Sequence, residues 1–399
     1  MMRQNRLPAA YYRGGTSRAV IFRAQDLPPD KEKWPAIFHG VLGSPDAENG
    51  RQLDGMGGGI SSLSKICVVG PSTVGERADV DYTFAAVGVR DSGVDYSSNC
   101  GNMSAAIGPF AVDSGMVTPQ RARDHGNHDD NDHDGSQDVV VNIHNTNTGK
   151  IIRSTFPLVD DGGEAAASGD FAIDGVAGTA APVRLDFLDP AGSRTGRLLP
   201  TGRAADTVEG SQATCIDVGN PCVFVKAEEV VGQKMPEEGD DDKKSFMPQD
   251  MEKDLDLMNL LDTIRRAAGV RMGLAGQPAD VPESVPKIAM VWVPQFRRRD
   301  DGEMSPEEKE KKRGKSAGDI CVRALSVGQP HRAVPVTVAL SLAAAADIPG
   351  SVVQQCLDQV SHPTGLLKVD AKYDAGGKLE SAAVYRTARR LMEGTIFWK

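Results

Sequence analysis

Two stretches of this chain are apolar or small on every face a helix could present. The first runs from Gly101 to Val112 and reads Gly-Asn-Met-Ser-Ala-Ala-Ile-Gly-Pro-Phe-Ala-Val. The second, Thr337 to Gly350, reads Thr-Val-Ala-Leu-Ser-Leu-Ala-Ala-Ala-Ala-Asp-Ile-Pro-Gly. A helix without a polar face has to be buried all round. Both are shorter than the run of about 18 apolar residues that a membrane span needs, so the surroundings must be protein. The flanking segments supply them. Arg18 to Phe22, Lys65 to Val69 and Val80 to Val87 have strand character before the first helix, and Val139 to His144 resumes it afterwards. Cys321 to Leu325 and Leu366 to Val369 bracket the second. The expected fold class is therefore α+β: two similar lobes, each a mixed β-sheet wrapped around a buried central helix. The repeat is one of structure, not of sequence identity. Pro109 is expected to kink the first helix or mark its tightening.

Residues 160–180, rich in Gly and Ala, look like a linker. The alternating strand Val183 to Leu188 follows, so the first lobe is placed at 1–182, the second at 183–385, and 386–399 is a C-terminal segment free to return to the first lobe. Helical spacing marks Asp30 to Leu42, ending near Gly43, and Leu255 to Ala268. Residues 124–138 form an acidic, His-bearing tract. It reads either as a weak metal-binding run or, more plainly, as a solvated hairpin insertion. Charged insertions at Pro236 to Asp250 and Arg297 to Lys315 read as surface loops.

The formal net charge of the 399 residues is −10, which disfavours nucleic acid and anionic membranes as partners but leaves room for a small anionic substrate in a locally basic pocket. The six cysteines are scattered, without CxxC pairs or zinc-ligand spacing, and read as reduced thiols. No secretory h-region and no membrane-length apolar run is visible, so a cytoplasmic protein is expected. No dinucleotide, zinc-protease or hydrolase motif appears, and neither a cofactor nor a metal is expected.

Two residues stand out chemically. Cys100, in Ser98-Asn99-Cys100-Gly101-Asn102-Met103-Ser104, precedes the first buried helix. Helix N-termini favour anions, so this position suits a thiolate or, through the N–H groups of Gly101 and Asn102, a substrate carboxylate. The alternative is a small core cysteine beside a turn. Lys65 ends Gly57-Gly58-Gly59-Ile60-Ser61-Ser62-Leu63-Ser64-Lys65 and opens an apolar strand. A lysine there is usually solvated, and a proton-transfer role requires it to be partly desolvated. Gly14-Gly15-Thr16-Ser17-Arg18 resembles an anion-binding nest, and Asp189 to Gly196, containing Ser193, is a similar polar turn. Gly328-Gln329-Pro330-His331-Arg332 precedes the second buried helix, although a lone His is more often structural.

Taken together these segments resemble the PrpF family, whose members have the diaminopimelate-epimerase-like fold. The matching residues are Arg13-Gly14-Gly15-Thr16-Ser17, Asp54-Gly55-Met56-Gly57-Gly58-Gly59 through Ser64-Lys65, Asn99 to Ser104, and Asp189-Pro190-Ala191-Gly192-Ser193 through Leu199-Pro200-Thr201-Gly202. Asn220-Pro221, Pro286-Lys287, Gln329 to Ala333, His362-Pro363-Thr364-Gly365 and Arg386 to Met392 follow in order. The resemblance implies two lobes facing a cleft and cofactor-free isomerisation of small unsaturated acids such as 2-methylaconitate, methylitaconate, aconitate or oxalomesaconate. It implies that the lysine at Lys65 and the cysteine at Cys100 are the acid/base groups. The epimerase relatives use one cysteine per lobe. Here the second lobe offers His331, Arg332 and Thr337 instead, which argues against a symmetric two-thiol mechanism. The chain departs from the family pattern at Val338, where a Gly is common, and at Cys67, where a Cys is unusual.

The resulting expectation is an isomerase of a small unsaturated tricarboxylic acid, aconitate first, with 2-methylaconitate or methylitaconate as alternatives. Lys65 is the main base and Cys100 a second proton carrier or orienting group. Thr16, Ser17, Arg18, Ser61, Ser62, Ser64, Asn99, Gly101, Asn102, Met103, Ser193, His331 and Arg332 are the substrate-binding candidates, with Arg18 or Arg332 supplying charge. The expected partners are a small di- or tricarboxylate and a second copy of the chain as a homodimer. A non-catalytic accessory protein of an aconitase-like dehydratase is the alternative from another class.

Overall fold

The computed structural model describes residues 3–126, 138–159, 162–232, 247–293, 320–331, 333–357, 369–374 and 376–399. In chain order the first elements are β1 (Asn5–Gly14), β2 (Ser17–Arg23), α1 (Trp34–Leu42), β3 (Lys65–Pro71), β4 (Val80–Val87), β5 (Val94–Asp95), α2 (Gly101–Asp113), α3 (Pro119–Gly126), β6 (Asp138–Asn145), β7 (Lys150–Pro157) and β8 (Pro182–Leu188). Then come β9 (Asp206–Val208), β10 (Ser211–Val218), β11 (Asn220–Lys226), α4 (Ala227–Val231), α5 (Pro248–Met251), α6 (Leu255–Arg271), β12 (Lys287–Trp292), β13 (Cys321–Ser326) and β14 (Gln329–Pro330). The last are α7 (Val336–Ala346), α8 (Val352–Leu357), β15 (Val369–Tyr373) and β16 (Leu379–Trp398).

The chain divides into two compact units, Met1–Pro190 with Lys372–Lys399, and Ala191–Ala371. The first unit is built on a ten-stranded mixed sheet in the order β1-β2-β3-β4-β6-β7-β8-β16-β15, with β5 beside β4. The pairs β2–β3 and β4–β6 are parallel. β1 also pairs with β16, from Asn5 opposite Trp398 to Gly14 opposite Ala388, so the sheet closes on itself. Helix α2 packs against β1, β2, β3, β6, β7, β8 and β16, and Gly101 to Val112 are all buried, as a helix without a polar face requires. Its small residues set how close the strands come. A Cβ on Gly108 would lie 2.7 Å from Ser154 Oγ and 2.8 Å from the Phe156 ring.

Strand alternation sorts the side chains. Val20, Phe22, Ile66, Val68, Ala85 and Val87 pack outward against Trp34, Ile37, Phe38 and Val41 of α1. Their sequence neighbours Ala19, Ile21, Lys65, Cys67, Phe84 and Ala86 therefore face the other way, towards α2. Helix α1 stops where the sequence predicts, at Gly43, whose φ of 73° is left-handed and favours glycine.

Strand β4 carries Tyr82 and Phe84 and outruns its neighbour β6, whose pairing ends at Tyr82 opposite Asn145. Side chains finish the ladder. Asn147 accepts from Phe84 N at 2.8 Å and donates to Phe84 O and Tyr96 O at 2.9 Å each, while Asn145 donates to Tyr82 O at 3.2 Å.

The second unit holds a six-stranded sheet, β14-β13-β12-β11-β10-β9, in which β11 and β12 are parallel. One face packs against α6, where Val223, Val225, Ile288, Met290 and Trp292 meet Leu257, Leu261, Ile264 and Ala268. The other carries α7 against β10 and β11, and α8 against β10, β11 and β12.

The unit boundaries differ from those read in the sequence. β8 joins the first sheet between β7 and β16 instead of opening the second unit. Residues 162–180 stay within the first unit, where Leu158 bridges Ala165 and Phe171 bridges Ala180. The chain leaves the first unit at Pro190 and re-enters at Lys372, and the single strand β16 pairs with β8 along one stretch and β1 along the next. Residues 127–137, 233–246 and 294–319, which hold most of the acidic tract and the charged insertions, lie outside the described residues. Among the described residues no helix is long and apolar enough to cross a membrane.

Replacing Asn147 by Ala leaves the Phe84 amide and two carbonyls to find other partners inside the protein. The expected loss is about 3 kcal/mol, because buried unpaired peptide groups keep their full desolvation penalty. Urea unfolding reads it, and an unchanged midpoint would show that the brace is dispensable.

Candidate active site

Lys65 opens β3 between Ala19 of β2 and Ala86 of β4, and only 7% of it is exposed. Its ammonium lies 5.3 Å from the centroid of the Phe84 ring, a cation–π contact. Among the described residues no carboxylate pairs with it. Two residues along the same face comes Cys67, directly opposite Phe84, with Sγ 3.8 Å from the Tyr82 hydroxyl.

The loop before Lys65 is organised by Gln52, which is fully buried. Its Oε1 accepts from Gly59 N at 2.9 Å and from Ser64 Oγ at 2.6 Å, and its Nε2 donates to Ser44 Oγ at 2.7 Å. A Cβ on Gly57 would come 2.3 Å from Gln52 Oε1, so part of the glycine run exists to let the loop close over this amide. Ser64 also donates to Ile60 O at 2.8 Å and is committed to the loop, not to a ligand. Ser61 and Ser62, half-buried, form the 3-10 turn that delivers the chain to Lys65.

Cys100 is the N-cap of α2 and is partly buried, and its thiol makes no capping bond. Its carbonyl accepts from Ser104 N at 3.0 Å and from Ser104 Oγ at 3.2 Å, while Asn99 Oδ1 also accepts from Ser104 Oγ, at 3.3 Å. Burial raises the Cys67 thiol and the Tyr82 phenol far above their ordinary ranges, and negative charge on Cys100 raises both further. Lys65 pulls Cys67 the opposite way. Lys65 and Cys100 thus act on the same small cluster, and Cys67 and Tyr82 stay protonated at neutral pH.

The first turn of α2 is gripped by the β1–β2 hairpin. Asn102 donates to Thr16 Oγ1 at 3.1 Å and accepts from Arg386 Nε at 3.3 Å. Gly15 is required here. Its φ is +49°, and a Cβ on it would fall 2.2 Å from Asn102 Oδ1. The turn is anchored to β16, because Gly15 N donates to Thr387 O at 2.9 Å and Arg13 Nη1 donates to both Gly15 O and Thr387 Oγ1. Ser17 and Met103 are buried in the same region.

Arg386 is the cation at this helix end. It is 5% exposed, also donates to Tyr385 O at 2.9 Å, and has no carboxylate ion pair among the described residues. Burial lowers its guanidinium to about 10, with Asp174 acting against the shift, so it remains charged at neutral pH. The sequence reading assigned this role to Arg18 or Arg332. Arg18 instead projects from the other face of β2, its guanidinium 5.7 Å from the Tyr11 ring in the α1 layer, and Arg332 lies outside the described residues.

Two further candidates belong to the second unit. Ser193 donates to the buried Asp217 Oδ1 at 2.5 Å, and Arg194 N, Thr195 N and Thr195 Oγ1 all donate to Asp217 Oδ2. The turn that looks like an anion nest is thus filled by a carboxylate of its own. His331, half-buried, donates its amide to Ala324 O at 2.8 Å. The structure therefore gathers Lys65, Cys100, Thr16, Ser17, Asn99, Gly101, Asn102 and Met103 at one end of the first unit. It does not bring Ser64 or Arg18 to them as ligands, and it adds Arg386. Among the described residues no group of three or more His, Cys, Asp or Glu could hold a metal ion.

Gly15→Ala is expected to cost the backbone strain of a left-handed alanine, about 1–2 kcal/mol, plus the displacement of Asn102. Gly115 has a φ of +70°, and a Cβ there would meet nothing within 4 Å, so Gly115→Ala reports the strain alone. Thermal unfolding should show the larger loss at Gly15, and equal losses would show that crowding against Asn102 costs nothing.

Comparison with known proteins agrees with this architecture. The PrpF protein family matches residues 4–399. The chain is 34% identical to 3-methylitaconate isomerase of Eubacterium barkeri, over all of this chain and 98% of that protein. It is 36% identical to (4E)-oxalomesaconate Delta-isomerase of Novosphingobium sp. (strain KA1) and 36% identical to 2-methyl-aconitate isomerase of Cupriavidus necator, each over 98% of this chain and 97% of the relative. The crystal structure of methylitaconate-delta-isomerase superposes with a TM-score of 0.68 at 34% identity, covering 100% of this chain and 96% of that one. A hydroxyproline epimerase from Agrobacterium vitis, 11% identical, shares the fold at a TM-score of 0.51 over 100% of this chain and 94% of that one. The chain belongs to the PrpF family.

Proposed function

We propose that this protein is an isomerase that moves a proton within a small unsaturated di- or tricarboxylic acid, with Lys65 and Cys100 as the proton carriers and aconitate as the first substrate to test. The relatives are named for isomerising methylitaconate, oxalomesaconate and 2-methylaconitate, acids that share a carbon–carbon double bond and several carboxylates. These isomerase names give no support to a purely accessory role.

One observation carries the reading. A buried lysine with no carboxylate partner among the described residues and an N-cap thiol act on one interior cluster, at the helix end where a buried guanidinium is held. Proton removal beside a carboxylate leaves an electron pair that spreads into the carboxylate and the adjoining double bond. Lys65, which must enter this step as the neutral amine, takes that proton and becomes the ammonium. Cys100 returns one at the far end of the three-carbon unit, or Lys65 returns its own after the former double bond has rotated. Either way one C–H bond breaks, one forms and the double bond moves or changes geometry. Preorganised donors lower the cost of the intermediate charge. Here these are the N–H groups of Gly101, Asn102 and Met103, which have no partner within α2 itself, with Arg386 behind them. The Phe84 ring, 5.3 Å from the nitrogen, favours the ammonium that forms when the proton arrives. The finer architecture belongs to the same proposal: we read the two units as a structural repeat in which only the first carries the proton-transfer thiol.

Lys65→Ala should lower kcat by about 10²–10⁴-fold, the usual range for a lost general base. NMR of aconitate, 2-methylaconitate and methylitaconate with the enzyme in deuterated water identifies the substrate and the carbon that exchanges. Near-normal turnover and exchange in Lys65→Ala would sink the mechanism. Arg386→Gln should act mainly on binding, raising KM about tenfold or more, as expected for a lost charge-assisted contact. An unchanged KM would return Arg386 to a packing role.

A further inference from the structure

The ladder of β3 with β2 and β4 starts at Lys65, opposite Ala19 and Ala86, and runs forward from it. Behind Lys65 the chain turns through Ser61–Leu63 and reaches Ser64, whose backbone is neither helical nor extended, with φ −120° and ψ 62°. Whatever fixes Ser64 therefore fixes where the lysine stem leaves the sheet. Gln52 does this. It is 0% exposed, and its amide joins two segments that the sequence keeps apart. Oε1 accepts the Ser64 hydroxyl at 2.6 Å and the Gly59 N–H at 2.9 Å, while Nε2 donates to Ser44 Oγ at 2.7 Å, just past the end of α1. Met56 N donates to Val41 O and Gly57 N to Leu42 O, so the same loop is also bound to the last turn of α1. One side chain thus ties the outer helix to the residue preceding the proposed base.

The backbone of Gln52 is strained to make this possible. Its φ is +53°, left-handed for a residue that carries a Cβ. The Asp46 carboxylate holds it there, with Oδ2 accepting from Gln52 N at 3.0 Å and from Arg51 N at 2.8 Å. Gln52 O accepts from Gly55 N at 3.2 Å. Glycine takes such a conformation freely, as Gly50 and Gly59 do in this loop at +60° and +71°. An apolar side chain would also avoid the desolvation that a buried amide undergoes. Strain retained to put one amide in one place is characteristic of functional sites. Placement matters to the chemistry because the Lys65 nitrogen, 5.3 Å from the Phe84 ring centroid, ends a flexible four-carbon stem. An error of about 1 Å in a reacting group slows its step on the order of 10²-fold.

We propose that Gln52 is a positioning residue for proton transfer: through Ser64 it sets the start of β3 and so the place of the Lys65 nitrogen. This deepens the isomerase reading above and rests on it for the reaction. Two variants cut the same contact. Q52M keeps length and bulk without the hydrogen bonds, and S64A is a smaller cut at the other end. The first measurement needs no substrate. In protein labelled with lysine carrying 13C at Cε, the Lys65 signal is identified by its loss in K65R, and its ring-current displacement by the change in F84L. In Q52M and S64A that signal should move towards those of exposed lysines. The second measurement is kinetic, with aconitate, 2-methylaconitate and methylitaconate, and with rates referred to folded protein by circular dichroism. The kcat should fall about 10–100-fold in Q52M and less in S64A, with KM within about threefold of wild type. The double variant should be no more than about twofold slower than Q52M, because both changes cut one path. A Lys65 signal that stays in place in both variants overturns the proposal. So does an unchanged kcat, a fall in kcat with a comparable rise in KM, which marks general loosening, or losses that multiply in the double variant. If Q52M does not fold, S64A decides by the same signal and the same split between kcat and KM. If wild type turns over none of the three acids, the isomerase reading fails by itself, and the lysine signal still decides whether Gln52 places Lys65.

Discussion

Burial of α2 is the constraint on which the first unit depends. A helix with Gly, Ala, Ile, Phe and Val around its whole circumference cannot face water, so strands must cover it on all sides, and a sheet does that only by closing. The closure is made by β1 on β16, two segments nearly the whole chain apart. Because strands alternate, closure also decides which residues become interior. Ile66 and Val68 are assigned to the α1 layer, and Lys65 and Cys67 to the α2 side. A lysine beside a helix N-terminus follows from the register of β3, not from any local preference of lysine for a core.

The same closure explains the arrangement of charge. Where α2 ends, Tyr12 donates to Asp113 at 2.7 Å, and Arg390 pairs with Glu164 at 2.8 Å, so ionic groups there are matched. Where α2 begins, Lys65 and Arg386 have no carboxylate ion pair among the described residues. Their neighbours are an aromatic face, an amide and backbone carbonyls. With no carboxylate in ion-pair contact among the described residues, and Asp174 acting on Arg386 from beyond that range, burial of these groups is costly in isolation, and an arriving polyanion would remove part of the cost. Charge is matched at one end of the helix and left without a carboxylate ion pair among the described residues at the other, which supports the proposal that the unbalanced end is the binding end.

Much of this was legible in the sequence, and what was not has physical causes. The buried helix α2, the strand opened by Lys65 and the placing of Cys100 at a helix start follow from patterning that needs only local information, whereas α7 is a helix where one is expected but leaves Leu342, Ala343 and Ala346 half-buried. Ser64 and Ser193 look like ligands because small polar residues beside glycine also suit anion sites. What decides otherwise is a distant acceptor, Gln52 or Asp217, that arrives with the fold. Arg18 is nearest to the Gly-Thr-Ser turn in sequence but sits on the wrong face of β2. Arg386 is hundreds of residues away and joins Asn102 because β16 lies beside β1 and β8. Its only signal is a charge at an inward position of an alternating strand, in line with Ala382 and Val384. The boundary at 182 fails for a related reason. β8 has the pattern of any half-buried strand, and its partners β7 and β16 lie on both sides of it in the chain.

The comparison of the two units sharpens what the chemistry asks of each. If the fold arose by doubling one unit, both copies began with the same options at the helix start and at the parallel strand. The first keeps a thiol at its helix start and a lysine on its strand. The second has Pro335 at its helix start, which offers neither a proton nor an N–H. Loss of the thiol at one helix start is compatible with an asymmetric proton transfer. On the proposed reading, both proton carriers belong to the first unit. A reaction that inverts a stereocentre with two opposed bases has no such freedom, because each face of the carbon needs its own proton carrier. Pro335 at the helix start matching Cys100 therefore gives no support to a symmetric two-thiol mechanism.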